Sequence, residues 1–281
     1  MSKKLFSVLV SLALVSLACG FLTNIPAAKT PGPDVTDQIS VAPPDGDARL
    51  TLNFGGGNLV LAPGATKLVE GSATYNIPEL KPVIKTEGGD VSITVGDYKT
   101  NGVSSFNQIK NEWNLKLGAA PMELTINSGA YEGTFDLGGL SLTNLTIKDG
   151  AAQMTADFSS PNPEKLSVLS YKTGASTVTL KNLGNANFEA LSFEGGAGKY
   201  KLDFGGTFQR AGSVTIHLGL SSLELVIPSG IVATVKVSGG MSNMQTPSGW
   251  NKNGETYTQE GSGPALTIVI EMGAGSVQIT Q

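Results

Sequence analysis

One pattern constrains this chain more than any other. A short segment of alternating apolar and polar residues runs into a glycine and resumes a few residues beyond it, over and over. LTINSG from Leu124 is followed by GAYEGTFDL, LTIKDG from Leu145 by GAAQMTADF, LSYKTG from Leu169 by GASTVTLKN, LSFEGG from Leu191 by GAGKYKLDF, and VTIHLG from Val214 by GLSSLELVI. These five starts lie 21, 24, 22 and 23 residues apart. IVIEMG from Ile268, followed by GAGSVQITQ, is a further copy, and LTLNFG from Leu50, followed by GGGNLVL, is a weaker early one. A fixed period of this size marks an array of stacked units.

The residues after each glycine show what the unit is. Met154, Ala156 and Phe158 alternate with Thr155 and Asp157, Tyr200, Leu202 and Phe204 with Lys201 and Asp203, and Leu223, Leu225 and Ile227 with Glu224 and Val226. Apolar residues at period two describe a strand with one face buried. The glycine then stands at a corner between two strands, where a positive φ would favour it over any residue with a β-carbon. Units stacked turn on turn bury one continuous apolar column, and seven or eight turns would make a rod of roughly 35 Å. The expected fold is all-β: a parallel β-solenoid-like stack, a single-stranded β-helix or toast-rack, of repeats of about 21–24 residues. Trp113, in strand period with Leu115 and Leu117, is expected in the core.

Composition agrees and removes several chemistries. Gly is 36 of 281 residues and charged residues are 15%, against usual shares of roughly 7% and 25%. A single Cys and a single His exclude a disulfide framework within the chain, a cysteine-based zinc site and a multi-histidine metal site. The net charge of −4 argues against a nucleic-acid partner, which needs dense Lys and Arg to neutralise phosphates. No cofactor is expected.

The N-terminus reads as an address. Lys3 and Lys4 precede an apolar run from Leu5 to Leu17, then Ala18 and Cys19, the pattern of a signal peptide too short to span a bilayer. The segment SLACG around Cys19 resembles a bacterial lipobox, with Ser16 where the family prefers Leu. A diacylglycerol on Cys19 would place two acyl chains in the membrane, enough for stable anchoring; the competing reading is an ordinary secretory signal with a stray cysteine. From Gly20 to Asp47 five prolines and few large apolar residues describe a tether, with a first edge strand allowed near Ile39 to Val41. The expected organisation is a signal peptide at 1–18, a lipidated Cys19 and tether over 19–44, an N-terminal β segment over 45–112, and a repeat domain with a C-terminal cap over 113–281.

WNLKLGAAPMELTI from Trp113, FSSPNPEKLSVLSYKTGASTV from Phe158, LGNANF from Leu183 and GGAGKYKLDFGG from Gly195 resemble the C-terminal β-region of the bacterial toast-rack family of adhesin-like proteins, related to the extracytoplasmic domains of LiaF-type envelope-stress proteins. ARLTLNFGGGNLVLAPGATKLVEGSATYN from Ala48 resembles that family's N-terminal segment. The motifs are structural glycines and apolar strands, so the resemblance implies a fold far more than an activity.

Few residues offer chemistry. His217, in VTIHLG, falls on the polar side of its strand, with no nucleophile-elbow motif near it. Asp136, Asp157 and Asp203 each fall seven residues after a glycine. In stacked turns they would form either an acidic ladder of the kind glycan-cleaving enzymes use or simply a solvated face. GGAGKYKLD from Gly195 puts its aspartate at the ninth place, where the calcium nonapeptide needs the sixth. Trp250 and Tyr257 lie in the polar insertion PSGWNKNGETYTQEGSG. They read either as a ring-stacking ligand site or, preferentially, as a loop capping the end of the column. The expected protein is therefore a non-enzymatic, adhesin-like binding or structural module of the bacterial envelope. It would be held extracytoplasmically on the cell membrane through Cys19, with a cell-wall or extracellular glycan or a membrane protein as partner. The alternatives are a LiaF-type stress-signalling accessory and, third, a carbohydrate-active enzyme on a β-helix.

Overall fold

The computed structural model describes residues 31–96 and 108–281. The signal peptide and Cys19 lie outside the described residues. Described strands, in chain order, are β1 (Val35–Val41), β2 (Ala48–Ala65), β3 (Val69–Tyr75), β4 (Pro82–Glu87), β5 (Asp90–Val95), β6 (Asn111–Gly118), β7 (Met122–Asp136), β8 (Leu142–Lys148), β9 (Ala151–Asp157), β10 (Leu166–Lys181), β11 (Phe188–Asp203), β12 (Gly212–Val226), β13 (Ala233–Gln245), β14 (Asn251–Asn253), β15 (Thr256–Gln259) and β16 (Leu266–Thr280).

Their pairings reproduce the sequence repeat. Leu124 pairs with Leu145, Leu145 with Leu169, Leu169 with Leu191, Leu191 with Val214 and Val214 with Ile268, all in parallel register. The weak early copy joins them, since Leu50 pairs with Leu124. Each copy is thus one rung. One rung is broken at its corner into β8 and β9, which consequently pair with the same two neighbours, β7 and β10.

Within a rung the two halves share one interior because the alternation slips by one residue at the corner. On either side of the corner in β10 the buried residues are Leu169, Tyr171 and Thr173, then Ser176, Val178 and Leu180, with Gly174 and Ala175 both exposed between them. Two consecutive outward positions let the strand turn without sending its second half's apolar side chains into water. The interior is aromatic at mid-stack: the Tyr171 and Phe193 rings stack at 5.3 Å, and Phe193 meets Tyr200 edge-on at 5.0 Å. Trp113 is fully buried, 5.2 Å from Phe54.

Two expectations are corrected. First, the positive φ expected at the corners is present at Gly55 of the weak early copy, φ 77, but at none of the repeat glycines Gly129, Gly150, Gly174, Gly196, Gly219 and Gly273. They are glycines because rungs touch there. A β-carbon on Gly219 would lie 2.6 Å from the Gly196 carbonyl oxygen, and Gly174 and Gly196 meet the carbonyls of Gly150 and Gly174 more closely still. Second, the rungs do not follow chain order at the C-terminal end. β16, the last strand of the chain, sits between β12 and β13, so the terminal rung is β13. Its second half, MSNMQ, carries no apolar alternation that would have marked it. The first edge strand allowed near Ile39 to Val41 is present as β1, which pairs antiparallel with β3 and buries Ile39 and Val41.

The turns far from the corner are held by asparagines. Asn162, fully buried, accepts from the Leu142 N–H and donates to the carbonyls of Leu142 and Ala186, so it ties three rungs. Asn185 donates to the Phe158 carbonyl and accepts from the Thr207 N–H. Asn182 and Asn187 hold left-handed backbone at φ 55 and 57, which asparagine tolerates better than most residues with a β-carbon.

Candidate functional site

The residue two places before each corner glycine points outward, so the parallel register lines these residues into one row across the rungs. Asn127, Lys148, Lys172, Glu194, His217 and Glu271 follow one another in that row. Beside its distal part lies an open groove of about 690 Å³, with Lys172, Glu194, His217 and Glu271 along one wall and repeat glycines forming much of the floor. The floor is largely backbone, because the close packing of rungs there admits no side chain.

Neighbours in the distal part of the row make two polar contacts along the stack. Lys172 Nζ lies 2.6 Å from Glu194, and His217 Nδ1 lies 3.3 Å from Glu271. The Lys172 hydrogen bond and charge, helped by His217, hold the Glu194 carboxyl below the usual carboxylate range. His217 and Glu271 are 52% and 68% exposed, so both are open to a ligand. The sequence placed His217 outward and it is; its neighbours in the row are separated by more than twenty residues of chain and became visible only through the register. An exposed, hydrated row of this kind can bind a polar ligand laid across the rungs. It offers no desolvated acid or base.

The three aspartates do not form a ladder. Asp136 pairs with Asp157, but Asp157 next faces Lys181 on β10. Each closes a turn instead: Asp136 accepts from the Gly138 N–H at 3.0 Å and the Ser159 hydroxyl at 2.6 Å, Asp157 from the Asn182 amide at 2.7 Å, and Asp203 from the Gly205 N–H at 2.7 Å.

Trp250 and Tyr257 belong to the hairpin β14–β15, which extends the sheet beyond β13. Tyr257 is 7% exposed, with Lys252 Nζ 5.4 Å from its ring centroid, so it has no open face for a ligand ring. Trp250 is half-buried against the core. Among the described residues no group of three or more His, Cys, Asp or Glu is arranged to hold a metal, and no helix is long and apolar enough to cross a membrane.

The fold and groove define a class: an all-β module of parallel, glycine-cornered rungs with a charged row on its outer face. Residues 31–169 match the family described as the N-terminal domain of toast_rack, DUF2154, and this part of the chain belongs to the toast-rack family. Solved structures similar to it include a candidate cell adhesion protein from Clostridium sporogenes ATCC 15579, 23% identical, covering 90% of this chain and 100% of that chain with a TM-score of 0.48. A candidate lipid-binding protein from Parabacteroides distasonis ATCC 8503 is 13% identical, covering 89% of this chain and 98% of its own, TM-score 0.39. A candidate adhesin from Bacteroides fragilis NCTC 9343 is 11% identical, covering 88% and 97%, TM-score 0.35. No curated protein matches the chain.

Proposed function

We propose that this protein is a non-enzymatic, adhesin-like binding module of the bacterial envelope, a parallel β-solenoid arm tethered to the outer face of the cell membrane through lipid on Cys19. The observation that carries the binding reading is the row Lys172, Glu194, His217, Glu271 beside a backbone-floored groove. It is a polar surface of repeated spacing, about 4.8 Å per rung, suited to an extended polar chain such as a wall or surface glycan. The carboxylates that could have served hydrolysis, Asp136, Asp157 and Asp203, are engaged in turns, and a glycan-cleaving pair needs two carboxyls facing one substrate.

The topology supports an orientation. The described chain enters beside β3, where the Gly32 N–H donates to the Asn76 carbonyl, at the β1 end of the stack. The groove lies across β10 to β13, toward the other end. An anchor at the N-terminus would hold the groove outward. The test has two arms on the full chain. Fatty-acid labelling and membrane fractionation should both be lost in Cys19→Ser. A glycan array run beside a hydrolysis assay should give binding without turnover, weakened in Glu271→Lys. Turnover that disappears in Asp157→Asn with the fold intact would replace this reading with an enzyme.

A further inference from the structure

The hairpin β4–β5 stands at the β1 end of the stack, because β5 adds to β2 along the edge opposite β7. Among the described residues β4 pairs with β5 alone, so its outer edge is open. Ile84 lies beside Ile93, and Pro82 and Thr86 lie beside Val95 and Val91, on the face that lines the column. Val91 and Ile93 are buried, yet Ile84 is 41% exposed, and Val83, on the opposite face of the strand, is 46% exposed. The apolar interior runs past its last cover at this strand.

The backbone directions of β4 follow from its neighbours. The Arg49 N–H donates to the Gly89 carbonyl, which in a parallel pair aims the backbone groups of Val91 and Ile93 at β2 and those of Asp90, Ser92 and Thr94 at β4. The residues of β4 that answer them are Glu87, Lys85 and Val83. The N–H and C=O groups of Ile84 and Thr86, and the Pro82 carbonyl, therefore point away from β5, toward the open edge. An open edge with apolar side chains on both faces is a template for another strand.

We propose that this edge pairs with the same edge of a second copy of the chain, antiparallel about a two-fold axis at Ile84. The strand's own residues select partner and register. Centred on Ile84, both backbone bonds are exchanged between Ile84 and the partner's Ile84, and the Thr86 N–H donates to the partner's Pro82 carbonyl. The missing donor at Pro82 then costs one bond on each side. Lys81, just before the strand, stands opposite the partner's Glu87, and the symmetry makes that contact twice; both residues are exposed. Centred one residue later, Lys85 would face the partner's Lys85, and like charges directly opposite are unfavourable. In the Ile84 register those two lysines are only diagonal neighbours, about 7–8 Å apart. The groove across β10 to β13 lies toward the other end of the stack, so both copies keep it free.

The test measures self-association of the full chain by sedimentation over about 1 µM to 1 mM, the span suited to an interface smaller than the ~1,200 Å² of a standard one. A monomer–dimer equilibrium is expected. Lys81→Glu and Glu87→Lys should each weaken it about tenfold, and the double variant, which swaps the two charges, should recover the parent's association. That recovery separates the edge from the contact Lys81 makes with Asp37 at 3.5 Å, which Glu87→Lys does not restore. Amide exchange at Ile84 and Thr86 should slow as concentration rises. A chain monomeric throughout overturns the proposal, as does a dimer that both single variants leave unchanged. Losses that the double variant does not recover overturn the register. Amides protected equally at every concentration overturn the second copy in favour of a segment of the same chain.

Discussion

A β-carbon built on Gly219 would stand 2.6 Å from the carbonyl oxygen of Gly196, whereas one on Gly150 would stand 3.2 Å from the carbonyl oxygen of Gly129. The same corner position thus carries different steric loads along the stack. Gly219→Ala should cost about 1–3 kcal/mol, since backbone oxygen cannot rotate away, and Gly150→Ala clearly less. Denaturant unfolding of both variants decides it. Equal costs would sink the close-approach explanation of the repeat glycines.

Asp136 serves a turn, so its loss should be structural. Asp136→Ala removes the acceptor for the Gly138 N–H and the Ser159 hydroxyl and should cost about 1–2 kcal/mol. Asp136→Asn, which keeps an oxygen acceptor, should recover part of that. Thermal unfolding of the pair is the check, and identical losses in both would show that charge, not turn closure, is what the position supplies.

The outer row should be salt-sensitive and weak. E194K sets a third lysine in line with Lys148 and Lys172, and exposed like charges opposite one another should cost at most about 1 kcal/mol. The loss should shrink at high salt. Acid should act in the same direction: the Glu194 carboxyl is held low by Lys172, so its contribution is complete above the ordinary glutamate range near 4.3 and is lost as pH falls through its lowered value. A parent whose stability is flat in acid while E194K is unchanged from it would contradict the pairing.

At the alkaline end the tyrosines set the sign. Burial of the Tyr75 hydroxyl and its hydrogen bond to Asp37 push it up to about 12, and Tyr131, Tyr171 and Tyr200 are pushed up as well, chiefly by burial. A raised folded-state value means that their contribution is complete below the unfolded tyrosine value of about 10 and lost as pH rises beyond it. Ultraviolet titration should show most tyrosinate absorbance appearing together with unfolding. A smooth titration of all tyrosines near 10 in a folded protein would refute the burial of these hydroxyls.

How much of this was written in the residues can be read from particular positions. Leu124, Leu145, Leu169, Leu191 and Val214 announced the rung, because period-two alternation on each side of a glycine allows one pairing register: a slip of one residue would send Tyr171 and Val178 into water. All-β architecture, the parallel stack of these copies and the burial of Trp113 were therefore determined locally. The tertiary structure alone decided three things, each because it depends on a neighbour distant in sequence. It placed β16 between β12 and β13. It made the corner glycines from Gly129 to Gly273 a matter of contact between backbones, and left backbone handedness to Gly55 of the early copy. And it gathered Lys172, Glu194, His217 and Glu271 into one row, and Tyr171 and Asp149 into one hydrogen-bonded pair, since residues twenty or more apart become neighbours only when parallel rungs stack about 4.8 Å apart.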